Sequence, residues 1–308
     1  MSKETKREII IGILALLLLV VLFVFAFPKM SNKTNKLDYV GTMGLKASLN
    51  DYTWDEISEI SADIAEKGGA SSYFEDFTRY AEEGQTKTVE LSNGDKLEFR
   101  IIGIKHDNLS SDTSKKAGFT FMAQNALKDP DKYNYSKSPC NWNTGSLRAK
   151  IQDGGEIFTR FPEELTKNIK NVEKMSLADS SYLITTSDKF FIPSAAEVGF
   201  AISEENSEGT RYEYINNDAF SFGIAAISCM NHKGYEKLLK KNNNDFPTTL
   251  DILDFLNSCD GLVDHSNAFM LRTINDKYEN YIYGLHVMLN LSMHGVDEDM
   301  PIVLCFCI

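Results

Sequence analysis

An uninterrupted apolar run near the N-terminus limits the possible architecture of this chain more than its other sequence features do. Residues 9–27 contain no charged side chain. About 19 residues of helix span roughly 28 Å, which matches the hydrocarbon core of a bilayer. A backbone in lipid must satisfy its own hydrogen bonds, so this run is predicted to be a transmembrane helix. The expected organisation is a cytoplasmic tail at 1–8, an anchor at 9–27, a linker at 28–48 and one extracytoplasmic domain at 49–308.

Two other interpretations of the apolar run remain open, a cleaved signal peptide and a buried core helix. A signal peptide has a shorter apolar region and small residues before its cleavage site. Here bulky Phe25 and Phe27 stand where the small residues belong, and Pro28 follows them. We therefore expect an uncleaved signal anchor.

The orientation of the anchor is not decided by local charge, because three basic residues precede it and three follow it. A short N-terminal tail favours an inside N-terminus, and long domains translocate largely regardless of charge. We expect a single-pass protein of the cell membrane with its domain outside. The flanking basic residues are Lys3, Lys6, Arg7, Lys29, Lys33 and Lys36.

The rest of the chain is acidic. The 308 residues carry a formal net charge of -12, and after residue 28 there are 29 basic and 42 acidic side chains, a charge of -13. Such a surface disfavours nucleic acid and anionic lipid as ligands of the domain. We expect no nucleic-acid partner, and a lipid bilayer contact only through residues 9–27.

The five cysteines do not form a recognisable framework. Their number is odd and no C-x-x-C motif occurs, which removes the zinc-ribbon and thioredoxin signatures. Cys305 and Cys307 lie two apart in an apolar run at 302–308, so in a strand they share a face and are poor disulfide partners. Because both faces of that run are apolar, we predict a central strand covered on both sides, with both thiols buried.

Apolar periodicity predicts an α+β fold with mixed or antiparallel sheets and flanking helices. Thr53 and Glu56 have the spacing of a capping box, and Asn93-Gly94 is typical of a hairpin turn. The predicted helices are 55–67, 72–82, 146–151, 162–172, 235–241 and 248–257. The predicted strands are 88–91, 97–104, 118–122, 181–185, 189–192, 281–291 and 302–308.

Several motifs occur in an order that is specific when taken together. They are residues 49–57, Gly94-Asp95, 100–109, 116–121, 141–148, 186–198, 208–214, 270–273 and 305–308. This set resembles the domain of unknown function numbered 6273, a family of surface and phage-related proteins of Firmicutes, and the resemblance covers about residues 49–308. It implies a C-type-lectin-like fold, and that family has no established activity. Four departures concern the C-terminal half: Phe269-Met270, Thr273, the charged insert at 232–260, and 286–299 with Gly295 as its one glycine.

Five residues are candidates for a binding site. Trp142 and Arg148 could line a sugar or peptide site, although Trp142 also fits a core position. His106 and Asp107 follow an apolar strand and could form an acid-base or metal pair, or cap a loop. Arg272 and Arg148 also fit buried hydrogen bonds to Glu197 or Asp188.

Recognisable catalytic and cofactor motifs are absent from the sequence. It has no G-x-S-x-G elbow, Walker loop, G-x-G-x-x-G loop or H-E-x-x-H pair. The oxygen-rich residues 107–112 lack EF-hand spacing, which argues against a calcium loop there. We predict no metal, no cofactor and no catalytic residue.

Two functions remain as hypotheses. The first is a non-enzymatic binding module at the surface of a Gram-positive bacterium or its prophage, with a surface protein, a glycan or a cell-wall component as ligand. The alternative is an enzyme related to the formylglycine-generating fold, which the resemblance suggests, using Cys305 and Cys307 as nucleophilic or copper-binding thiols. An enzyme of that kind needs accessible thiols with lowered pKa values.

Overall fold

The computed structural model describes residues 44–178, 182–200, 207–215, 268–275, 277–278, 280–286 and 291–308. Within these ranges, no helix combines the length and the apolar composition needed to cross a membrane. The apolar run at 9–27, most of the predicted linker and the predicted helices at 235–241 and 248–257 lie outside the described residues. So do Cys229, Cys259, His232 and His265.

Helix α1, Trp54–Lys67, begins one residue before the predicted start at Asp55 and ends at the predicted residue. Its N-terminus is a capping box, in which the Glu56 N–H donates to Thr53 Oγ1 at 3.2 Å and the Thr53 N–H donates to a Glu56 carboxylate oxygen at 2.7 Å. Gly68 ends the helix with a φ of 57°, a conformation that costs glycine little. One face buries Trp54 and three isoleucines against the sheet.

The remaining described helices are short. The predicted helix at 146–151 is confirmed, whereas the one predicted at 162–172 is wrong after residue 166. There the Lys170 N–H bonds to the Cys307 carbonyl at 2.9 Å, and a strand begins at Val172. Pairing with the C-terminal strand has overridden the local helical pattern. The other elements are α2, Phe74–Glu82; α3, Ser146–Ile151; α4, Glu163–Thr166; and 3-10 turns at Leu49–Asp51, Gly68–Ala70 and Phe158–Arg160.

Fourteen strands lie in the described residues, and every pairing among them is antiparallel. They are β1, Thr86–Glu90; β2, Lys96–Ile104; β3, Asn108–Leu109; β4, Asp112–Lys116; β5, Phe119–Ala123; β6, Asp131–Lys132; β7, Val172–Leu177; β8, Leu183–Asp188; β9, Phe190–Phe191; β10, Ala268–Ile274; β11, Tyr281–His286; β12, Leu291–Gly295; β13, Asp299–Met300; and β14, Cys305–Cys307. The described part is therefore an α+β fold with antiparallel sheets and few helices.

The central sheet has the order β1-β2-β5-β14-β9. The predicted hairpin joins β1 to β2 through Gly94, whose φ of 86° favours glycine. Strand β14 lies between β5 and β9, with all three residues buried, so the prediction of a central terminal strand is confirmed. Helix α1 packs closely on this sheet, since a Cβ on Gly118 would lie 2.2 Å from the Ser61 carbonyl oxygen.

Three smaller sheets complete the described strands, in the orders β4-β3-β7-β8, β10-β11-β12 and β6-β13. The core beneath the central sheet is aromatic. Phe306 stacks on Phe121 with ring centroids 5.2 Å apart, and its edge meets Phe99 at 4.9 Å. The opposite face of β14 carries the two thiols and meets a cluster of polar side chains.

Candidate functional site

Four charged side chains and one tyrosine form a hydrogen-bonded group inside the fold. We call Lys174, Asp107, Glu197, Arg272 and Tyr212 the buried charged cluster. The Lys174 ammonium contacts Asp107 Oδ1 and lies 3.0 Å from Glu197 Oε1 and 2.7 Å from the Tyr212 hydroxyl. The Lys174 side chain is 1% exposed, and the five residues are all buried.

Arg272 closes the other side of the cluster. Its two terminal nitrogens donate to the two Glu197 oxygens at 2.5 and 2.8 Å, a bidentate pair. The same nitrogens donate to the carbonyls of Ile192 and Glu208 at 3.0 and 2.9 Å. The expected buried hydrogen bond of Arg272 to Glu197 is confirmed, and it ties β10 to two loops.

Five separate segments supply the cluster. Asp107 follows β2, Lys174 points inward from β7, Glu197 follows β9, Tyr212 belongs to the 207–215 segment and Arg272 lies on β10. The cluster depends on the tertiary fold, because no two of these residues are near neighbours in sequence. Its hydrogen bonds connect the four segments that carry Asp107, Lys174, Glu197 and Arg272 to one another.

The charges of the cluster balance. Burial opposes ionisation of Asp107, but the Lys174 charge and the hydrogen bonds from Lys174 and Thr120 together outweigh it and lower the pKa of that carboxyl. Burial likewise opposes the Glu197 charge, and Arg272 and Lys174 hold the Glu197 pKa well below its usual range. Burial alone would lower the pKa of Lys174, yet Asp107 and Glu197 raise it. Two cations therefore face two carboxylates with no excess charge among them.

A further carboxyl, Glu208, lies beside the cluster. Its Oε1 accepts the Leu177 N–H at 2.7 Å, and its Oε2 contacts the Thr273 hydroxyl. Burial raises the pKa of Glu208 above its usual value, although the Arg272 charge and the hydrogen bonds from Thr273 and Leu177 act in the opposite direction. Thr273 in turn accepts the Ala195 N–H at 2.9 Å, so its hydroxyl links β10 to the loop after β9.

The two terminal thiols lie against the same cluster. Cys305 and Cys307 are buried, free and fully covered. The Cys307 thiol and the Thr120 hydroxyl donate to Asp107 Oδ2 at 3.4 and 2.6 Å. Burial raises the pKa of both thiols well above the usual value. The prediction that these cysteines are buried is confirmed.

His106 lies at the rim of the cluster. Its Nδ1 is 3.0 Å from a Glu213 oxygen, its Nε2 is 3.3 Å from the Thr210 hydroxyl, and its ring packs 4.3 Å from that of Tyr212. The His106 side chain is 10% exposed and the Glu213 side chain 50%. Burial disfavours the charged imidazole, but the hydrogen bond to Glu213 and the charges of Asp107, Glu213 and Glu197 raise its pKa.

This pair predicts a small pH dependence of stability. The raised pKa of His106 stabilises the fold below about pH 6.5, the value for an unfolded histidine, and the contribution is lost as pH rises through the folded pKa. The lowered pKa of Glu213 contributes above about pH 4.3 and is lost on acidification. Replacing His106→Gln should therefore cost less than about 1 kcal/mol, with the largest cost between those two values.

Urea unfolding from about pH 4 to about pH 8 measures the difference in the free energy of unfolding between wild type and His106→Gln. Glu213→Gln is the matched control, because it removes the hydrogen-bonded carboxylate and should reduce the pH dependence of that difference. If the stability difference between wild type and His106→Gln does not vary between about pH 5 and pH 8, the ion pair between His106 and Glu213 is contradicted.

Trp142, Arg148 and Asp188 form a second hydrogen-bonded group, in which Trp142 and Asp188 are buried. The Trp142 Nε1–H donates to Asp188 Oδ2 at 2.9 Å, and Arg148 Nε donates to Asp188 Oδ1 at 2.6 Å. Thr186 adds a bond of 2.6 Å to Oδ2. Trp142 is fully buried, so its interpretation as a core residue is confirmed, as is the expected hydrogen bond of Arg148 to Asp188.

The five candidate residues thus fall into two groups, and three of them are buried. Trp142 and Arg148 share Asp188, while His106, Asp107 and Arg272 belong to the charged cluster or its rim. Sequence reasoning missed Lys174 and Tyr212 as members. Lys174 lies on the same strand face as Val172 and Ser176, and both of those residues are buried. A charged residue on the apolar side of an alternating strand pattern is the signal that could have identified Lys174. Among the described residues, no group of three or more His, Cys, Asp or Glu side chains is placed to hold a metal ion.

The surface offers a different kind of site on the β10-β11-β12 sheet. Tyr281 and Tyr283 lie two apart on β11, and Met293 of β12 is paired with Tyr283, so the three side chains share a face. Tyr278 meets Tyr281 edge to face with ring centroids 6.1 Å apart. Tyr278, Met293 and Tyr281 are 56%, 53% and 37% exposed. We call these four residues the tyrosine-methionine patch.

Asn275 organises the patch. Its Oδ1 accepts the N–H groups of Lys277 and Tyr278 at 2.9 Å each, which fixes the turn that presents Tyr278. Its amide nitrogen lies 2.9 Å from the Tyr283 hydroxyl and 3.0 Å from the Met293 sulfur. These bonds fix the turn that carries Tyr278 and the side chains of Tyr283 and Met293 before any ligand arrives.

Comparison of the chain with family models, with curated proteins and with solved structures finds no match.

Proposed function

We propose that this protein is a membrane-anchored binding module whose domain, residues 49–308, is displayed outside the cell membrane of a Gram-positive bacterium or its prophage. The anchor is the uncharged apolar run at 9–27. The order of sequence motifs supports a C-type-lectin-like domain of the family numbered 6273. The α+β character and antiparallel sheets of the described residues are compatible with that proposal.

The observation that carries the binding function is the tyrosine-methionine patch. Scattered exposed apolar residues are ordinary, but contiguous ones on a fixed surface mark interaction sites. Tyrosine supplies a large contact area at a small entropic cost, since it has few rotatable bonds. The hydrogen bonds of Asn275 reduce that cost further, because they hold the turn beneath the rings.

The composition of the patch favours a protein partner over a glycan. Aromatic residues and methionine are enriched at protein-protein interfaces, and a flexible thioether adapts to an apolar partner surface. The patch itself, formed by Tyr278, Tyr281, Tyr283 and Met293, contains no charged side chain. An uncharged aromatic and aliphatic patch on the partner is its natural complement.

The enzymatic alternative receives less support from the geometry. Nucleophilic or copper-binding chemistry at Cys305 and Cys307 requires access from solvent, yet both side chains are fully covered. Their raised pKa values keep them as neutral thiols at physiological pH. The polar groups of the buried charged cluster beside the thiols form hydrogen bonds with one another.

Removing the tyrosine rings should weaken binding. We expect Tyr278→Ala with Tyr281→Ala to weaken binding of the domain to cells that lack the protein by about tenfold or more, as for central aromatic contacts. Stability should change little, because both side chains are exposed. Flow cytometry with the labelled domain measures the loss.

Tyr182→Ala is the matched control, since Tyr182 is 54% exposed beside a different sheet. It should bind as wild type does. Protease treatment of the target cells should remove binding, and glycan-degrading treatment should leave it. Wild-type binding by the double variant would refute the patch, and sensitivity to glycan removal alone would make the ligand a glycan.

A further inference from the structure

Lys174 is more deeply buried than the other lysines that pair with carboxylates in the described residues. The Lys174 nitrogen contacts Asp107 Oδ1, and the two side chains are 1% and 6% exposed. The Lys67–Asp63 and Lys150–Asp131 pairs have a lysine that is 54% and 22% exposed. Water reaches those two lysines, whereas the Lys174–Asp107 ion pair lies in a closed interior, where its two charges are poorly solvated.

We propose that Lys174 and Asp107 condense into an intramolecular amide crosslink between β7 and the segment after β2. The two residues are 67 positions apart in the chain. An ammonium and a carboxylate yield one amide and one water. The reaction needs no oxidant, reductant or activating cofactor.

The reaction balances in three steps. First, a proton passes from the Lys174 ammonium to Asp107 within their existing contact, which gives a neutral amine and a carboxylic acid. The amine lone pair then attacks Asp107 Cγ, forming the C–N bond and a tetrahedral carbon. Finally the C–Oδ1 bond breaks, and that oxygen leaves as water after taking a second proton from the nitrogen.

Neighbouring groups are placed to assist these proton movements. The Tyr212 hydroxyl lies 2.7 Å from the Lys174 nitrogen and 3.3 and 3.1 Å from the two Asp107 oxygens, so it can relay a proton between them. Glu197 Oε1, 3.0 Å from the same nitrogen, is a second acceptor.

The charge that develops on the Asp107 oxygen also has donors in place. The Thr120 hydroxyl and the Cys307 thiol point at Oδ2, at 2.6 and 3.4 Å. Preorganised donors of this kind stabilise a tetrahedral oxyanion, and they act more strongly in a dry interior. The thiol thus serves as a hydrogen-bond donor and stays protonated.

Two physical effects favour the crosslink. Fixing an amine against a carboxyl replaces a bimolecular encounter by an intramolecular one, which raises the effective concentration greatly. The product also removes two charges from a medium that disfavours ions. The Arg272–Glu197 pair remains afterwards, so the interior stays neutral.

Glu197 is the other carboxyl within reach of Lys174, but it is the poorer acceptor for the bond. Both of its oxygens already accept hydrogen bonds from the Arg272 guanidinium. The Arg272 guanidinium holds Glu197 as a carboxylate, whereas Asp107 has Lys174 itself as its cationic partner and can take from it the proton that opens the carboxyl carbon to attack. The crosslink is therefore assigned to Asp107.

Intact mass spectrometry of the full chain, fully unfolded and reduced, tests the proposal. We expect a mass lower than the sequence mass by one water, and a digest that contains a branched peptide joining Lys174 to Asp107. Lys174→Met and Asp107→Ala should each restore the full sequence mass. Lys150→Met, at an ion pair open to water, should keep the loss.

The wild-type measurement does not depend on whether any variant folds. A wild-type chain at its full sequence mass, with Lys174 recovered in a linear peptide, would overturn the proposal. So would a water loss that maps to Asp153-Gly154 or Asp260-Gly261, where a succinimide can form, or a branch from Lys174 to Glu197.

Discussion

Replacing Arg272→Met should lower the free energy of unfolding by about 3–5 kcal/mol, the cost of leaving a buried charge without its partner. The arginine is fully buried, and it donates to both oxygens of Glu197 and to two backbone carbonyls. The methionine fills much of the space, so the loss measures hydrogen bonds and charge more than packing. Urea unfolding followed by the fluorescence of the two tryptophans measures it.

Arg79→Met is the matched control. Arg79 pairs with Asp76 and Glu83 on the surface of α2 and is 45% exposed, so its loss should cost less than about 1 kcal/mol. The double change Arg272→Met with Glu197→Gln should cost less than the sum of the single changes, because the two residues form one pair. Equal effects of Arg272→Met and Arg79→Met would contradict a buried cluster that holds the loops together.

Truncating Trp142→Ala should cost a comparable 3–5 kcal/mol or so, as for a buried aromatic side chain. The ring is fully buried beside Tyr133, with centroids 6.0 Å apart, and its N–H satisfies Asp188. Alanine leaves a cavity next to that carboxylate. The milder Trp142→Phe keeps most of the volume and should cost about 1–3 kcal/mol for the lost hydrogen bond.

Tyr182→Ala is the control here too, since an exposed tyrosine should matter by less than about 0.5 kcal/mol. Thermal and urea unfolding of Trp142→Ala, Trp142→Phe and Tyr182→Ala measures the loss of stability in each variant, and we expect the losses to fall in that order. A loss below about 0.5 kcal/mol for Trp142→Ala would place the ring at the surface and restore it as a binding candidate.

The elements that local chemistry determines could be predicted from the sequence. The capping box at Thr53 and Glu56, the Asn93-Gly94 turn and the apolar C-terminal strand all formed where expected. Each depends on contacts between near neighbours or on burial of both faces of a strand. The helix predicted at 162–172 failed because residues after Thr166 pair with distant β14, which periodicity does not show.

Only two ion pairs of the candidate site could be predicted from the sequence. Arg272 with Glu197 and Arg148 with Asp188 follow from the rule that a buried charge needs a partner. The positions of Lys174 and Tyr212 beside Arg272 and Glu197 could not be predicted in this way. They depend on the register of β7 and on the path of the 207–215 segment, which the whole fold determines. The exposure of Tyr278 and Met293 likewise depends on which face of the β10-β11-β12 sheet is covered. The residues near Tyr278 and Met293 in the sequence do not show which face of that sheet is covered.

We infer that Cys305, Cys307 and the buried charged cluster are closed to solvent, and that the function of the domain lies on its surface. Labelling with a charged thiol reagent, resolved by peptide mass spectrometry, measures whether solvent reaches the two thiols. A variant with Ser136→Cys on the exposed surface supplies the control for reagent activity. We expect that cysteine to react at once, and Cys305 and Cys307 to react only at the rate of global unfolding. Rapid labelling of either one in the native domain, or stoichiometric copper bound by the pair, would contradict this account and favour the enzyme.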